Sequence, residues 1–216
     1  MIDRTIRQDE ALAAFQSGEK RNAVDIWSTL ADEGDVSATW TLGYLHYTGE
    51  FSDNGLPDFE KAVGFFSQAA ATGHCLACNA LGKLLYFGAG IKKDESAARR
   101  WFKLAAGQGD DDAATSLAYL CEKGEGGGED FDASFEWYSR AAEHGNAEAQ
   151  YRLGLANLTG RGTPQSAVQG LYWLIKSAEQ GHPSARESRD KLLPYIDDDI
   201  ALRVYELTLE RSTALH

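Results

Sequence analysis

Cys75-Leu76-Ala77-Cys78 is the one closely spaced cysteine pair in the chain. Placed at the start of a helix, such a pair could do redox chemistry, because a helix N-terminus lowers a thiol's pKa. With His74 beside it the pair could also begin a zinc site, but a tetrahedral site needs a fourth ligand and none stands at suitable spacing. The places equivalent to Cys75 elsewhere in the chain hold Val36, Asp111 and Ala147, and those equivalent to Cys78 hold Thr39, Ala114 and Gln150. No βαβ pattern surrounds the pair. The two thiols therefore read as small helix side chains. His74, His144 and His182 each stand beside a glycine that separates helices, and the turn accounts for them without a metal.

Two other clusters invite a chemical reading. Gly124-Glu125-Gly126-Gly127-Gly128-Glu129-Asp130 mixes glycine with carboxylates, yet lacks the alternating acids and terminal glutamate of a calcium loop. No Gly-Lys-Ser/Thr follows to hold phosphate, so this stretch reads as a flexible linker. Asp110-Asp111-Asp112 and Asp197-Asp198-Asp199 could be paired acid/base carboxylates. Each opens a helical pattern, where aspartate caps free N–H groups and complements the dipole. No serine, histidine and acid set assembles from the spacing. The expectation is no enzyme, no cofactor and no metal.

The elements that position these residues come from a repeat. Gly34, Gly73, Gly109, Gly145 and Gly181 each end a segment of the same design. Three residues earlier stands Ala31, Ala70, Ala106, Ala142 or Ala178. Seven earlier stands Trp27, Phe66, Phe102, Tyr138 or Leu174, and eight earlier Ile26, Phe65, Trp101, Trp137 or Trp173. These offsets lie on one face of a helix, and a glycine just past the last turn is a usual stop. Four residues beyond each glycine alanine returns (Ala38, Ala77, Ala113, Ala149, Ala185). Leucine and a small residue follow, as Leu42-Gly43, Leu81-Gly82, Leu117-Ala118 and Leu153-Gly154. Each unit is thus helix A, a linker, helix B and a tight turn. One hairpin cannot bury both of its apolar faces, so hairpins must stack. The aromatic ladder of helix B is expected to contribute most to stability, at roughly 1.5–3 kcal/mol per large side chain buried.

Ala149-Gln150-Tyr151-Arg152-Leu153-Gly154, then Gly160-Arg161-Gly162, Trp173 and Lys176 to His182, resembles one Sel-one-like repeat (SLR). Ala77 to Gly109 resembles another. The resemblance implies an all-α fold: a right-handed superhelical α/α solenoid of about five hairpins with a C-terminal helical cap. The expected organisation is one domain, 1–216, with a divergent hairpin at 1–36, four repeats at 37–182 and capping helices at 183–216. The first link is shorter than the others, residues 51–57 are an insertion, and Arg189 stands where leucine is expected. The resemblance also implies protein–protein interaction. In the related tetratricopeptide architecture, residues two before and two after the signature leucine face a concave groove. Carried over, these are Trp40 and Tyr44, Asn79 and Lys83, Thr115 and Tyr119, Tyr151 and Leu155. Tyr47 and Tyr86 are further candidates.

The chain holds 21 basic and 33 acidic residues, a formal charge of −12. A field of that sign disfavours nucleic acid and anionic membranes and would attract a basic protein surface. No apolar run approaches the roughly 20 residues of a membrane span, and the first ten residues lack the apolar core of a signal peptide. Three cysteines make no disulfide framework. The expected role is a cytoplasmic scaffold or adaptor that captures a protein partner. The alternatives are an immunity protein neutralising a bacterial toxin or effector, and, from another class, a cysteine-dependent enzyme. The irregular C-terminal helices also leave a structural oligomer open.

Overall fold

A computed structural model describes residues 2–52 and 54–213. Asp53 of the 51–57 insertion and 214–216 of the C-terminal segment lie outside the described residues, as does Met1. Among the described residues the chain is all-helical, with twelve α-helices, one short 3-10 turn and no strand. It divides into two compact units, 1–110 and 111–216.

The first unit holds α1 (Ile2–Gln16), α2 (Lys20–Asp32), α3 (Val36–Thr48), α4 (Phe59–Ala71), α5 (Cys75–Phe87) and α6 (Glu95–Gly107). The pairs α1–α2, α3–α4 and α5–α6 form hairpins, and α2 packs on α3 and α4 on α5 to stack them. The second unit holds α7 (Asp111–Lys123), α8 (Phe131–Glu143), α9 (Ala147–Thr159), α10 (Ala167–Glu179), α11 (Pro183–Leu192), the 3-10 turn Leu193–Tyr195 and α12 (Asp198–Thr213). Here α7–α8 and α9–α10 are the hairpins, and α11 and α12 both pack on α10.

Side chains fix where the helices begin. Asp58, Asp94, Asp130 and Ser166 each accept a hydrogen bond from the backbone N–H three residues on, opening α4, α6, α8 and α10. The linker 124–130 therefore ends in a helix cap, Asp130, and Asp197 opens α12 in the same way through Ile200 N at 2.8 Å. In α7, Asp111 and Asp112 occupy the first turn.

Burial splits the aromatic ladder in two. Trp27, Phe66, Phe102, Tyr138 and Leu174, seven residues before the stop, are all buried. Their neighbours Ile26, Phe65, Trp101 and Trp137 are only half-buried, whereas Trp173 is buried because Arg211 of α12 lies 4.8 Å over its ring. The inner ring of each hairpin rests on the small residue after the signature leucine. A Cβ at Gly43 would lie 2.7 Å from Cδ1 of Phe66, and one at Gly82 2.8 Å from Cδ1 of Phe102. At Gly43 and Gly82 helix A must be bare for the ring of helix B to close on it, whereas α7 carries Ala118 at the same place.

The ends differ as the spacing suggests. In the first hairpin α1 and α2 are joined by residues 17–19 alone, and the Phe15 and Trp27 rings meet at 5.7 Å. In the insertion Phe51 packs against the N-terminal core while Leu56 is exposed. At the other end Leu192 packs with Leu174, Ala178 and Ala185, supplying the apolar contact that Arg189 cannot.

Gly82→Ala is expected to destabilise by about 1–3 kcal/mol, because the added methyl group overpacks against Phe102. Urea unfolding measures this, and Gly82→Ala/Phe102→Leu should recover part of the loss; equal stability of the two variants would show that the ring does not set the limit.

Candidate functional site

Of the residues two before each signature leucine, Trp40 and Tyr151 turn toward the start of the following repeat. Trp40 is half-buried, with its ring 6.0 Å from that of His74. Asn79 is buried at 7% exposure, and its Nδ2 donates to both carboxylate oxygens of Asp110 at 3.0 Å. Tyr151 stacks on His182 at 4.9 Å. Thr115 is half-buried, and its hydroxyl donates to the carbonyl of Asp111 in its own helix. The partner residue in each of the first three contacts directly follows an inter-repeat glycine.

That position also starts helix A. Asp35 and Asn146 accept from the N–H groups of Ala38 and Ala149 through side-chain oxygens. His74 and His182 do so through Nδ1, from Ala77 N at 3.3 Å and Ala185 N at 3.2 Å. These two imidazoles are helix caps. His144, on the other side of its glycine, ends α8 and holds Asp111 at 2.8 Å.

The residues two after the leucine are less committed. In the first unit Tyr44 is 42% exposed and stacks on Trp40, with centroids 5.4 Å apart and planes inclined by 21°. Lys83 is half-buried on α5. Tyr47 lies at the edge of exposure with its ring against Phe59 and Phe66, and Tyr86 is half-buried beside Phe87 and Lys93. In the second unit Tyr119 is half-buried between two cations, Arg152 at 5.6 Å and Lys123 at 5.9 Å. Leu155 lines a cleft of about 210 Å³ with Phe131, Phe135, Tyr138, Arg152 and Arg161. Each unit thus brings its own aromatic side chains together on the A helices.

In and beside the cleft stand charged residues that were not among the candidates. Glu148 takes Arg152 Nε at 2.6 Å and His182 Nε2 at 2.7 Å. Burial alone would raise its carboxyl, but the two hydrogen bonds and the nearby charges outweigh that and hold it below the ordinary range. Burial likewise opposes the Arg152 charge, yet the bond to Glu148 and the neighbouring acids raise its pKa. Arg161 stands over the Phe131 ring at 5.6 Å and is 3.9 Å from Glu122. Tyr138 donates to Glu122 at 3.4 Å, and its phenol is pushed far up, first by burial. At about 210 Å³ the cleft is smaller than a drug-sized ligand site.

The cysteines give little support to redox chemistry. Cys75, Cys78 and Cys121 are free thiols, the last two buried. Burial first, then a nearby charge, pushes Cys75 and Cys78 above the usual thiol range, away from the thiolate a nucleophile needs. Among the described residues no group of three or more His, Cys, Asp or Glu side chains could hold a metal ion. No helix of the described residues is long and apolar enough to cross a membrane.

The Sel1 repeat model matches residues 36–74, 75–110, 111–146 and 147–182. No curated protein matches the chain. Among solved structures it is similar to a protective antigen of uropathogenic Escherichia coli that displays an SLR fold, at 25% identity and a TM-score of 0.82. That match covers 96% of this chain and 46% of the antigen, so the chain spans less than half of that relative's length. It is also similar to a Sel1 repeat protein from Oxalobacter formigenes, at 26% identity and a TM-score of 0.76, covering 85% of this chain and 74% of that one.

The His74 cap generates a pH dependence. Burial holds its pKa below the 6.5 of the free side chain, so below about pH 6.5 the unfolded chain takes up the proton first. Stability is therefore full above that pH and is lost as pH falls toward the lowered folded value. His74→Asn, which keeps a cap of the kind Asn146 makes, should reduce the drop in urea midpoint between about pH 7.5 and about pH 5.5. Part of the drop should persist, because burial and Lys61 lower the His46 pKa too. An unchanged drop would deny the cap this role.

Proposed function

The chain belongs to the Sel1 repeat family, and on that premise we propose a non-catalytic scaffold that captures a protein or peptide partner through the exposed side chains of its A helices. Sel1 repeat proteins are generally protein-interaction scaffolds. The observation that carries the proposal is the Trp40–Tyr44 stack, whose outer ring is 42% exposed. Tyrosine and tryptophan are enriched among interface hot spots because a rigid ring covers much area at low entropic cost. Tyr119 and Leu155 offer a second apolar contact in the other unit, with Arg152 beside them.

The net charge of −12 favours a partner with a basic face, since complementary charge steers encounter and selects among partners. A toxin or effector with such a face is the narrowest partner that fits. The chain would then act as its immunity protein by covering the toxin's working surface, and a toxin gene next to this one would support that form. Three free thiols suit a reducing cytoplasm.

A partner captured by the full chain provides the test. Tyr44→Ala and Tyr119→Ala should each weaken binding by about tenfold to thirtyfold, the range of an interface hot spot, with helicity unchanged by circular dichroism. Leu104→Ala on α6, which removes a side chain 54% exposed, should leave the affinity as it was. Wild-type affinity in both tyrosine variants places the partner elsewhere.

A further inference from the structure

Helix α12 presents two unlike sides. On one, Val204 is buried, and Arg211 covers Trp173 at 4.8 Å and Tyr172 at 5.1 Å. On the other, Leu202, Tyr205 and Leu209 stand at i, i+3 and i+7, and are 56%, 62% and 49% exposed. At 3.6 residues per turn they form one outward stripe about two turns long. An exposed helix face is ordinarily polar, and α12 presents an apolar stripe instead.

Charge decides what suits that stripe. Asp198 stands on the same side at the N-terminal end, and Asp199 and Glu206 run along one edge; all three are exposed. The helix's cations point away. Arg211 is on Trp173, and Arg203 lies 3.9 Å from Asp199, on the far side of that residue from the stripe. A second copy of the chain would set three carboxylates against three more. A helix with lysine or arginine flanking an apolar stripe would meet both the leucines and the acids.

We propose that the outer face of α12 docks a cationic amphipathic helix of a partner protein, its apolar side covering Leu202, Tyr205 and Leu209 and its cations pairing with Asp198, Asp199 and Glu206. This deepens the scaffold reading by naming a partner chemistry, and it uses none of the A-helix residues, so either can fail alone.

The test uses the full chain and a fluorescein-labelled Leu/Lys peptide of about 18 residues, patterned as an amphipathic helix, with a Leu/Glu counterpart. Fluorescence anisotropy should show binding of the lysine peptide alone, weaker at about 0.3 M than at about 0.05 M salt. Leu202→Ser/Tyr205→Ser/Leu209→Ser should weaken it at least about tenfold, as should Asp198→Asn/Asp199→Asn/Glu206→Gln, which should also flatten the salt dependence. Asp25→Asn/Glu136→Gln/Glu143→Gln makes the same charge change at exposed sites elsewhere, and should alter affinity by less than about twofold. An equal loss in that control would reduce the binding to unspecific charge attraction and overturn the proposal. Light scattering that finds a wild-type dimer, split by the serine variant, would overturn it in favour of a second copy. Loss of peptide binding in Tyr44→Ala or Tyr119→Ala would move the site to the A helices.

Discussion

The contact between a large helix-B side chain and the small residue after the signature leucine of helix A is what the rest of each repeat hairpin depends on. Phe66 closes on Gly43 and Phe102 on Gly82 at separations that leave no room for a methyl group, and Leu174 closes nearly as tightly on Gly154. A ring seated there buries its whole face and brings the two helices close enough for Ala38, Ala77 and Ala149 to disappear from solvent. Truncating such a ring costs about 3–5 kcal/mol, while adding a methyl beneath it costs about 1–3 kcal/mol. The position is therefore constrained from both sides, and it recurs because each hairpin faces the same geometric problem.

The links between successive hairpins are chemically different. They rest on aromatic groups at the start of the next A helix: the Trp40 ring near His74 in the first unit and Tyr151 on His182 in the second. Each of these partners directly follows the inter-repeat glycine, and His74 and His182 also cap the helix they begin. One residue thus satisfies an orphan N–H and fixes its neighbour's orientation. Such links contribute less than core rings, since a cap is worth about 1 kcal/mol and an exposed ion pair less. Their effect is on register: they set where one hairpin sits on the previous one.

The repeat, the stops and the core rings were legible because each obeys a period that one chain displays five times over. The division of the candidate site was not. Trp40, Asn79 and Tyr151 occupy equivalent places, and helical periodicity puts them on the same side as Tyr44 and Leu155. Whether such a side chain meets solvent or the next repeat depends on what caps the following helix, a residue more than thirty positions away. Half of the ladder was misjudged for a related reason. Phe65, Trp101 and Trp137 lie beside buried rings in sequence, but only α12 covers their equivalent, Trp173. Arg152 and Arg161 escaped notice because a lone arginine on a helix or in a linker looks solvated until the cleft around it is seen.

The distribution of freedom follows from these constraints. Positions that face the hairpin partner are fixed by volume, and those that face the next repeat by capping and register, so neither set can vary to suit a ligand. What remains are the outer residues of the A helices and the outward face of α12. At Tyr44 the ring is held by Trp40, which is itself held near His74, so the exposed group rests on an ordered base. Such preorganisation lowers the entropic cost of binding and favours aromatic anchors over long flexible side chains. On α12 the same logic takes another form: Arg211, half-buried over Trp173, and the buried Val204 hold one side of the helix inward, so that Leu202, Leu209 and the carboxylates face outward together. A basic partner would meet rigid surfaces in both places, and the acidity of the chain would act on its approach before either contact formed.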